Sequence, residues 1–170
     1  DDMSDLEFGE MFSAGIATAV KNYKTAGSEM ASAISVLGAT ATNNNISMEE
    51  QLAILGQLQT TMSGSEAATK YKAFLNSAAS AGDKLGLSFV DANNQLLTTP
   101  EILQLLKDRY GDTIDAVEKQ QLKAAFGTDE AVAMIDLLYN DIGGLTSGIE
   151  GLSDSMQQGV DVTTEMAEAI

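Results

Sequence analysis

Apolar residues recur at every third or fourth position along most of the chain, a spacing that places them on one face of an amphipathic helix. An Ala-rich stretch over residues 28–42 follows the same rule. Breaks of two to five residues separate the stretches, and short breaks favour antiparallel helical neighbours. We therefore predict a mainly α fold, a compact bundle of about six to seven short helices. The first apolar stripe consists of Phe8, Phe12, Ile16, Val20 and Tyr23.

Capping residues mark several helix starts. Ser47-Met48-Glu49-Glu50 has the pattern of a capping box, in which Ser47 accepts a free backbone N–H and Glu50 reaches back to the N-cap. Thr98-Thr99-Pro100-Glu101 places proline and an acid in a first helical turn. Two further helices are predicted over residues 112–126 and 128–142.

Residues 87–98 interrupt the helical periodicity. Leu87–Val90 is a candidate short strand, residues 91–94 are turn formers, and residues 95–98 are able to return beside the first strand. We predict one small β-hairpin near residues 87–98.

The last part of the chain differs from the rest because glycines interrupt it. Gly143-Gly144 predicts a break, so the chain divides into a helical core domain, residues 1–142, and a Gly-interrupted amphipathic helical extension, residues 143–170. Apolar residues around the extension repeat at alternating spacings of three and four, as in a heptad seam. This seam either packs back on the domain or pairs helices between copies of the chain. It consists of Ile142, Leu145, Ile149, Leu152 and Met156.

Composition excludes several kinds of chemistry. The 170 residues include no Cys and no His, which removes disulfides, thiolate and imidazole metal sites, and triads that need a His base. Twenty-five acidic residues against nine basic ones give a formal net charge of −16, and no base follows Lys123. Such a charge disfavours nucleic-acid and anionic-membrane partners.

The chain also lacks the patterns of targeting segments. No apolar run approaches the length of a transmembrane helix, so we expect no stable membrane insertion. The start, Asp1-Asp2-Met3-Ser4-Asp5, lacks the basic and apolar regions of a signal peptide. We expect the sequence to be a segment of a longer chain.

No constellation of residues predicts catalysis, cofactor binding or metal binding. Asp91-Ala92-Asn93-Asn94-Gln95 begins like a calcium loop, but Leu96 stands where glycine is needed and Ile102 where a bidentate Glu is needed. A turn accounts for the same residues. Glu49-Glu50 and the pair Asp112/Asp115 fit helix starts, where acids oppose the positive end of the dipole. We therefore assign no catalytic, cofactor-binding or metal-ligating residue, and we predict that the protein is not an enzyme.

The order of short motifs over residues 30–142 resembles the core region of phage tail tape measure proteins. The order is a helix, a Gly-Ser loop with small residues, a Leu-Gly-(apolar) hairpin, a Pro-led helix and a Phe-Gly helix end. The sequence departs from the family pattern at two places. Asn94 stands where the family usually has a turn glycine, and residues 68–72, Ala-Thr-Lys-Tyr-Lys, fill a stretch where members often have Arg. The motifs are Ser47–Ala53, Leu55-Gly56, Ser63–Ala68, Phe74-Leu75, Lys84–Leu87, Val90–Asn93, Thr99–Leu103, Leu122–Gly127 and Glu130-Ala131.

The resemblance implies a structural phage tail protein without catalytic residues in this region. Tape measure proteins lie in the lumen of the tail tube, set tail length, and act in assembly with the tube, tail assembly chaperones and baseplate components. We expect this chain in the virion, in the tail lumen, and in the host cytoplasm during assembly. As one straight helix it would span about 255 Å, but its caps and breaks predict a compact body with a radius of gyration of about 15–16 Å. We therefore expect a folded domain embedded in a tape measure chain.

The alternative is a non-enzymatic helical adaptor or scaffold domain of prophage or secretion-related origin. It shares the fold and the acidity and differs only in its partner. A long heptad-bearing parent sequence favours the tape measure, and a short parent favours the adaptor.

Overall fold

A computed structural model describes residues 4–169 of the chain and the side chains of residues 4–161. Residues 1–3 and 170, at the outer ends of the two predicted domains, lie outside the described residues. The mainly α prediction is confirmed. The helices are α1 Asp5–Tyr23, α2 Gly27–Leu37, α3 Thr40–Asn43, α4 Met48–Leu58, α5 Gly64–Leu85, α6 Thr99–Tyr110, α7 Ala116–Phe126, α8 Asp129–Leu138 and α9 Ile142–Ala169, with a 3-10 turn Tyr139–Asp141 before α9.

One break that periodicity does not mark adds a helix, and one predicted helix begins later than expected. Gly38 adopts a positive φ of 58° and ends α2, so the predicted segment 28–42 splits into α2 and the single turn α3. The helix predicted from residue 112 begins at Ala116, because Asp115 is its N-cap and forms a capping box with Glu118.

The predicted β-hairpin is wrong. Within the described residues, segment 87–98 holds no strand, only an isolated antiparallel bridge between Val90 and Leu96. The carboxylate of Asp91 accepts the backbone N–H groups of Asn93 at 2.8 Å and Gln95 at 3.0 Å, which closes a tight Asx-type loop. Thr98 then caps α6, so the chain turns into a helix before a second strand can form.

Helix α4 lies at the centre of the fold. Seven of its eleven residues are buried, including Glu50 and Gly56, and it contacts α1, α5 and α9. A short helix covered on so many sides must be apolar nearly all round, which explains why its sequence shows no clean amphipathic stripe. Its buried apolar side chains are those of Leu52, Ala53, Ile54, Leu55 and Leu58.

Helix α9 continues through the glycines that predicted a break at Gly143-Gly144. The interruption lies a few residues earlier, at the 3-10 turn Tyr139–Asp141. The helix packs against α1 and α4. Leu145, Leu152 and Met156 of the predicted seam are buried at 2 % exposure or less, and Ile142 and Ile149 are half-buried against the same core. The seam therefore packs within the chain in this structure.

Helices α1 and α9 run antiparallel and approach closely at small residues. A Cβ at Gly15 would lie 2.9 Å from the Met156 Sδ atom, and a Cβ at Gly159 would lie 2.9 Å from the Cβ of Ala14. At the other end of the pair, the Tyr23 ring fills the space that a Cβ at Gly56 of α4 would need, and its hydroxyl fills that of Gly148 of α9. Tyr23 of α1 thus packs between α4 and α9, and only glycine at positions 56 and 148 leaves room for its side chain.

We predict opposite effects for two glycine substitutions in α9. Gly148→Ala places a methyl group against the Tyr23 hydroxyl, so the free energy of unfolding should fall by about 1–3 kcal/mol. Gly151→Ala meets nothing within 4 Å and should raise it by up to about 1 kcal/mol through helix propensity. Urea denaturation of the two variants measures both shifts. Equal shifts of the same sign would contradict the role given to Tyr23.

Candidate functional site

Two buried polar residues of the structure meet between α4 and α6. Among the described residues, the buried polar or charged side chains belong to Glu50, 3 % exposed, and Thr99, 1 % exposed. Glu50 Oε2 accepts the backbone N–H of Thr99 at 2.9 Å. This contact joins α4 to the first turn of α6 across 49 residues of sequence.

Two helix N-termini flank the Glu50 carboxylate. Ser47 caps α4 by accepting the Glu50 N–H at 3.2 Å, as the sequence predicts. The second half of that predicted capping box is wrong, because the Glu50 side chain spans to α6 instead of returning to its own N-cap. In α6, the Thr99 N–H is one of the first-turn donors that lack an intrahelical acceptor. The carboxylate satisfies it and opposes the positive end of the α6 dipole.

Tyr71 of α5 is the third member of this buried polar centre, which comprises Glu50, Thr99 and Tyr71. Its side chain is fully buried, and its hydroxyl has no hydrogen-bond partner among the described residues. Burial raises the pKa of the Tyr71 hydroxyl well above its ordinary value, and the charge of Glu50 adds to the rise. Burial likewise raises the pKa of Glu50, while the hydrogen bonds from Thr99 lower it by less.

This arrangement joins α4 to α6. Glu50 is closed off from solvent, and the general base of an enzyme must reach the proton that it removes. No motif in the sequence indicated this centre, because its members are separated by 21 to 49 residues and only the fold brings them together.

Several other acids and bases have structural partners. Asp91 closes its loop through two backbone N–H groups, so its carboxylate is part of a turn. Asp112 pairs with Lys107 at 3.7 Å, and Lys107 also lies over the Tyr139 ring, 5.8 Å from its centroid. Arg109 donates to the Leu85 carbonyl at 2.8 Å, next to the end of α5.

The surface clefts differ in charge, and the charged residues that line one of them are the bases Lys84 and Arg109. Another, of about 380 Å³, lies between the α6–α7 loop and the end of α8, where Lys119 and Asp136 form an ion pair at 3.4 Å. No group of three or more acidic side chains within residues 4–161 is placed to hold a metal ion. Among the residues described, no helix combines the length and apolar character that a membrane span requires.

We predict that the buried charge of Glu50 lowers stability as pH rises. A raised pKa means that the folded state binds a proton more readily than the unfolded chain, so the free energy of unfolding falls as pH increases from 4.5 through the raised value. Glu50→Gln keeps an oxygen for the Thr99 N–H and removes this fall. Denaturation at several pH values measures this. The free energy of unfolding of the variant, relative to that of the wild type, should increase between pH 4.5 and 7.

Two further variants separate charge from hydrogen bonding. Glu50→Ala leaves the Thr99 N–H without an acceptor and should cost about 1–3 kcal/mol near pH 4.5. This deficit should narrow as pH rises, because the variant also lacks the buried charge. Glu49→Gln removes a neighbouring charge that is not bonded to Thr99 but that adds to the raised pKa of Glu50. The pH-dependent fall should therefore persist, because burial is its largest cause, but it should become smaller. A Glu50→Gln variant with the full pH dependence of the wild type would refute the assignment.

Comparison with known proteins identifies the family. Residues 3–127, about three-quarters of the chain, match the family described as phage-related minor tail protein. No curated protein and no solved structure matches the chain. The match covers α1 to α7 and the whole of the buried polar centre, and the chain belongs to this family.

Proposed function

We propose that this member of the phage-related minor tail protein family is a folded domain of a tape measure protein, which takes part in tail assembly and tail-length determination inside the tail tube. The family makes the chain a structural phage tail protein. One observation supports the proposal of a folded tape measure domain. The family match and the motifs that resemble tape measure proteins both fall on one helical body with a single apolar core.

The surface area favours a compact body over a rod. The chain exposes 8774 Å². A globular protein of its mass exposes roughly 8,000 Å², so the fold is nearly as compact as an ordinary domain. A domain of this kind contributes surfaces to an assembly, whereas a rod contributes length in proportion to its residues.

The proposed partners are the tail tube, the tail assembly chaperone or the baseplate proteins. The surface of α9 supports a charged contact with one of them. Its outer side carries Glu150, Asp154 and Asp161, and the ion pairs found among the described side chains involve none of these acids. Unpaired charges of one sign raise association rates with a basic partner and fall in effect with salt. We place the domain in the tail lumen of the virion and in the host cytoplasm during assembly.

We predict that in-frame deletion of residues 4–169 from the phage gene abolishes tails or the control of their length. Negative-stain electron microscopy gives the distribution of tail lengths. Uniform tails shortened by about 250 Å would show that the segment is a rod-like spacer, against the folded-domain proposal. Normal tails would remove the segment from tail building and favour the adaptor or scaffold alternative.

Two point variants test whether the fold itself is needed. Ala53→Asp and Ser153→Asp each introduce one carboxylate, the first at a fully buried position of α4 and the second on the exposed side of α9. We expect Ala53→Asp to reproduce the deletion, because an unpaired buried charge unfolds the core. Tails of Ser153→Asp phage should have the wild-type length distribution. Wild-type tails from both variants would contradict the proposal.

A further inference from the structure

A cleft at the C-terminal ends of α5 and α6 differs from the rest of this acidic chain, because the charged residues that line it are bases. Its volume is about 420 Å³, within the range of roughly 300–1,000 Å³ that is typical of ligand clefts. The chain has a formal net charge of −16, and Arg109 is its only arginine. We define the basic cleft by its lining residues, which are Lys84, Leu85, Arg109, Gln121, Ala124 and Ala125.

The two bases of the basic cleft have no acidic partner within the chain. Between residues 84 and 123 the sequence has five bases, and three of them form ion pairs. The other two are Lys84 and Arg109, and the ion pairs found within residues 4–161 involve neither of them. The unpaired bases of this region therefore lie together at one cleft. The three ion pairs are Lys107–Asp112, Lys119–Asp136 and Lys123–Asp129.

Helix-end placement alone does not explain the two unpaired bases. Lys84 and Arg109 lie in the last turns of α5 and α6, where a positive charge opposes the negative end of the helix dipole. Lys107 and Lys123 also lie in last turns, and each of them still pairs with an Asp beyond its helix end. A base that complements a helix dipole can thus have an acidic partner as well, and the basic cleft supplies none.

The donor groups of the basic cleft are held in place by bonds within the chain. Arg109 Nη2 donates to the Leu85 carbonyl at 2.8 Å, which fixes the guanidinium through one N–H and leaves it several more. Gln121 Oε1 accepts the Tyr110 hydroxyl at 3.3 Å, so the amide N–H groups of Gln121 are directed elsewhere. Together with the Lys84 ammonium, these donors suit a ligand that is negatively charged and accepts hydrogen bonds.

We propose that the basic cleft docks an acidic side chain, Glu or Asp, on a segment of a partner protein. The carboxylate binds Arg109 through paired N–H groups, and Lys84 adds a second positive charge. The short side chains of Ala124 and Ala125 leave room beside these bases for the aliphatic part of the acid and for an apolar neighbour. This surface is separate from the acidic outer side of α9, so the two would bind partners of opposite charge.

The charges around the basic cleft favour an isolated carboxylate over a polyanion. Asp83 and Asp108 directly precede Lys84 and Arg109, and both are exposed. Charge interactions at physiological salt extend about 8 Å, so these acids repel a ligand that carries many negative charges close together. A nucleic acid has one charge for about every 1.7 Å of its axis. A protein segment can instead present one acid among neutral residues, and this is the partner that fits.

Titration of the full chain with a peptide tests the docking. The probe is acetyl-Ala-Leu-Glu-Leu-Ala-amide, and its control has Gln in place of Glu. We expect the Glu peptide to shift the backbone amide NMR signals of residues 84–86 and 121–125 saturably, and the Gln peptide to leave them unchanged. Equal shifts with both peptides would overturn the proposal, as would no saturable shift below about 10 mM of the Glu peptide.

Variants that remove one charge each assign the binding to the two bases. Arg109→Gln should raise the Kd of the Glu peptide about tenfold, and Lys84→Gln about threefold. Arg109→Lys keeps the charge but not the paired geometry, so its Kd should lie between those of the wild type and Arg109→Gln. The control is Lys21→Gln, which removes an exposed base of α1 and should change the Kd by less than about twofold. An effect of Lys21→Gln as large as that of Arg109→Gln would refute a specific site.

Inorganic phosphate separates protein docking from binding of small anions. Phosphate cannot contact Leu85 and Ala125 with apolar groups, so it should shift the same signals only at higher concentration than the Glu peptide. Phosphate binding as tight as that of the peptide would make the cleft a small-anion site, against the proposal. The dispersion of the NMR spectra checks that each variant is folded. These measurements use the chain in solution, so they do not depend on whether it sets tail length.

Discussion

The burial of α4 is the constraint on which the rest of the structure depends. A helix of eleven residues cannot be stable alone, so its free energy comes from the helices that cover it. Those helices must approach from several sides at once. They do so where glycine or alanine replaces a larger side chain, as at Gly56 beneath Tyr23 and Gly15 beside Leu52. Close packing of short helices thus requires glycine at these positions.

The same constraint explains why a charged residue is buried. Glu50 belongs to the first turn of α4 and therefore enters the core with it. Its carboxylate finds a donor because the first turn of α6 is directed at the same place. Burial disfavours the charged form of this carboxyl more than the Thr99 hydrogen bond favours it, so the pKa of Glu50 is raised.

Much of the fold could be predicted from local signals, and the exceptions depend on distant contacts. The cap at Thr98 with Glu101 was predictable because all its atoms lie within one turn. The partner of Glu50 was not, since local pattern favours Ser47 and the true contact lies 49 residues away. The hairpin near residues 87–98 failed because Asp91 consumes the backbone donors that a second strand needs. Gly143 and Gly144 failed as breakers because Asp141 caps the first turn of α9 through the Gly144 N–H, so the helix begins before them and continues.

The antiparallel pairing of α1 with α9 has a consequence for any longer polypeptide that contains this fold. Tyr23 lies at Gly148 and Ala14 lies at Gly159, so the start of α1 and the far part of α9 point to the same end of the pair. When a polypeptide enters and leaves the fold at the same end, the fold adds mass and surface at that point. It adds almost nothing to the end-to-end distance of the polypeptide. In such a polypeptide the distance spanned per residue would be uneven, and residue number alone would overestimate the length that the chain can measure.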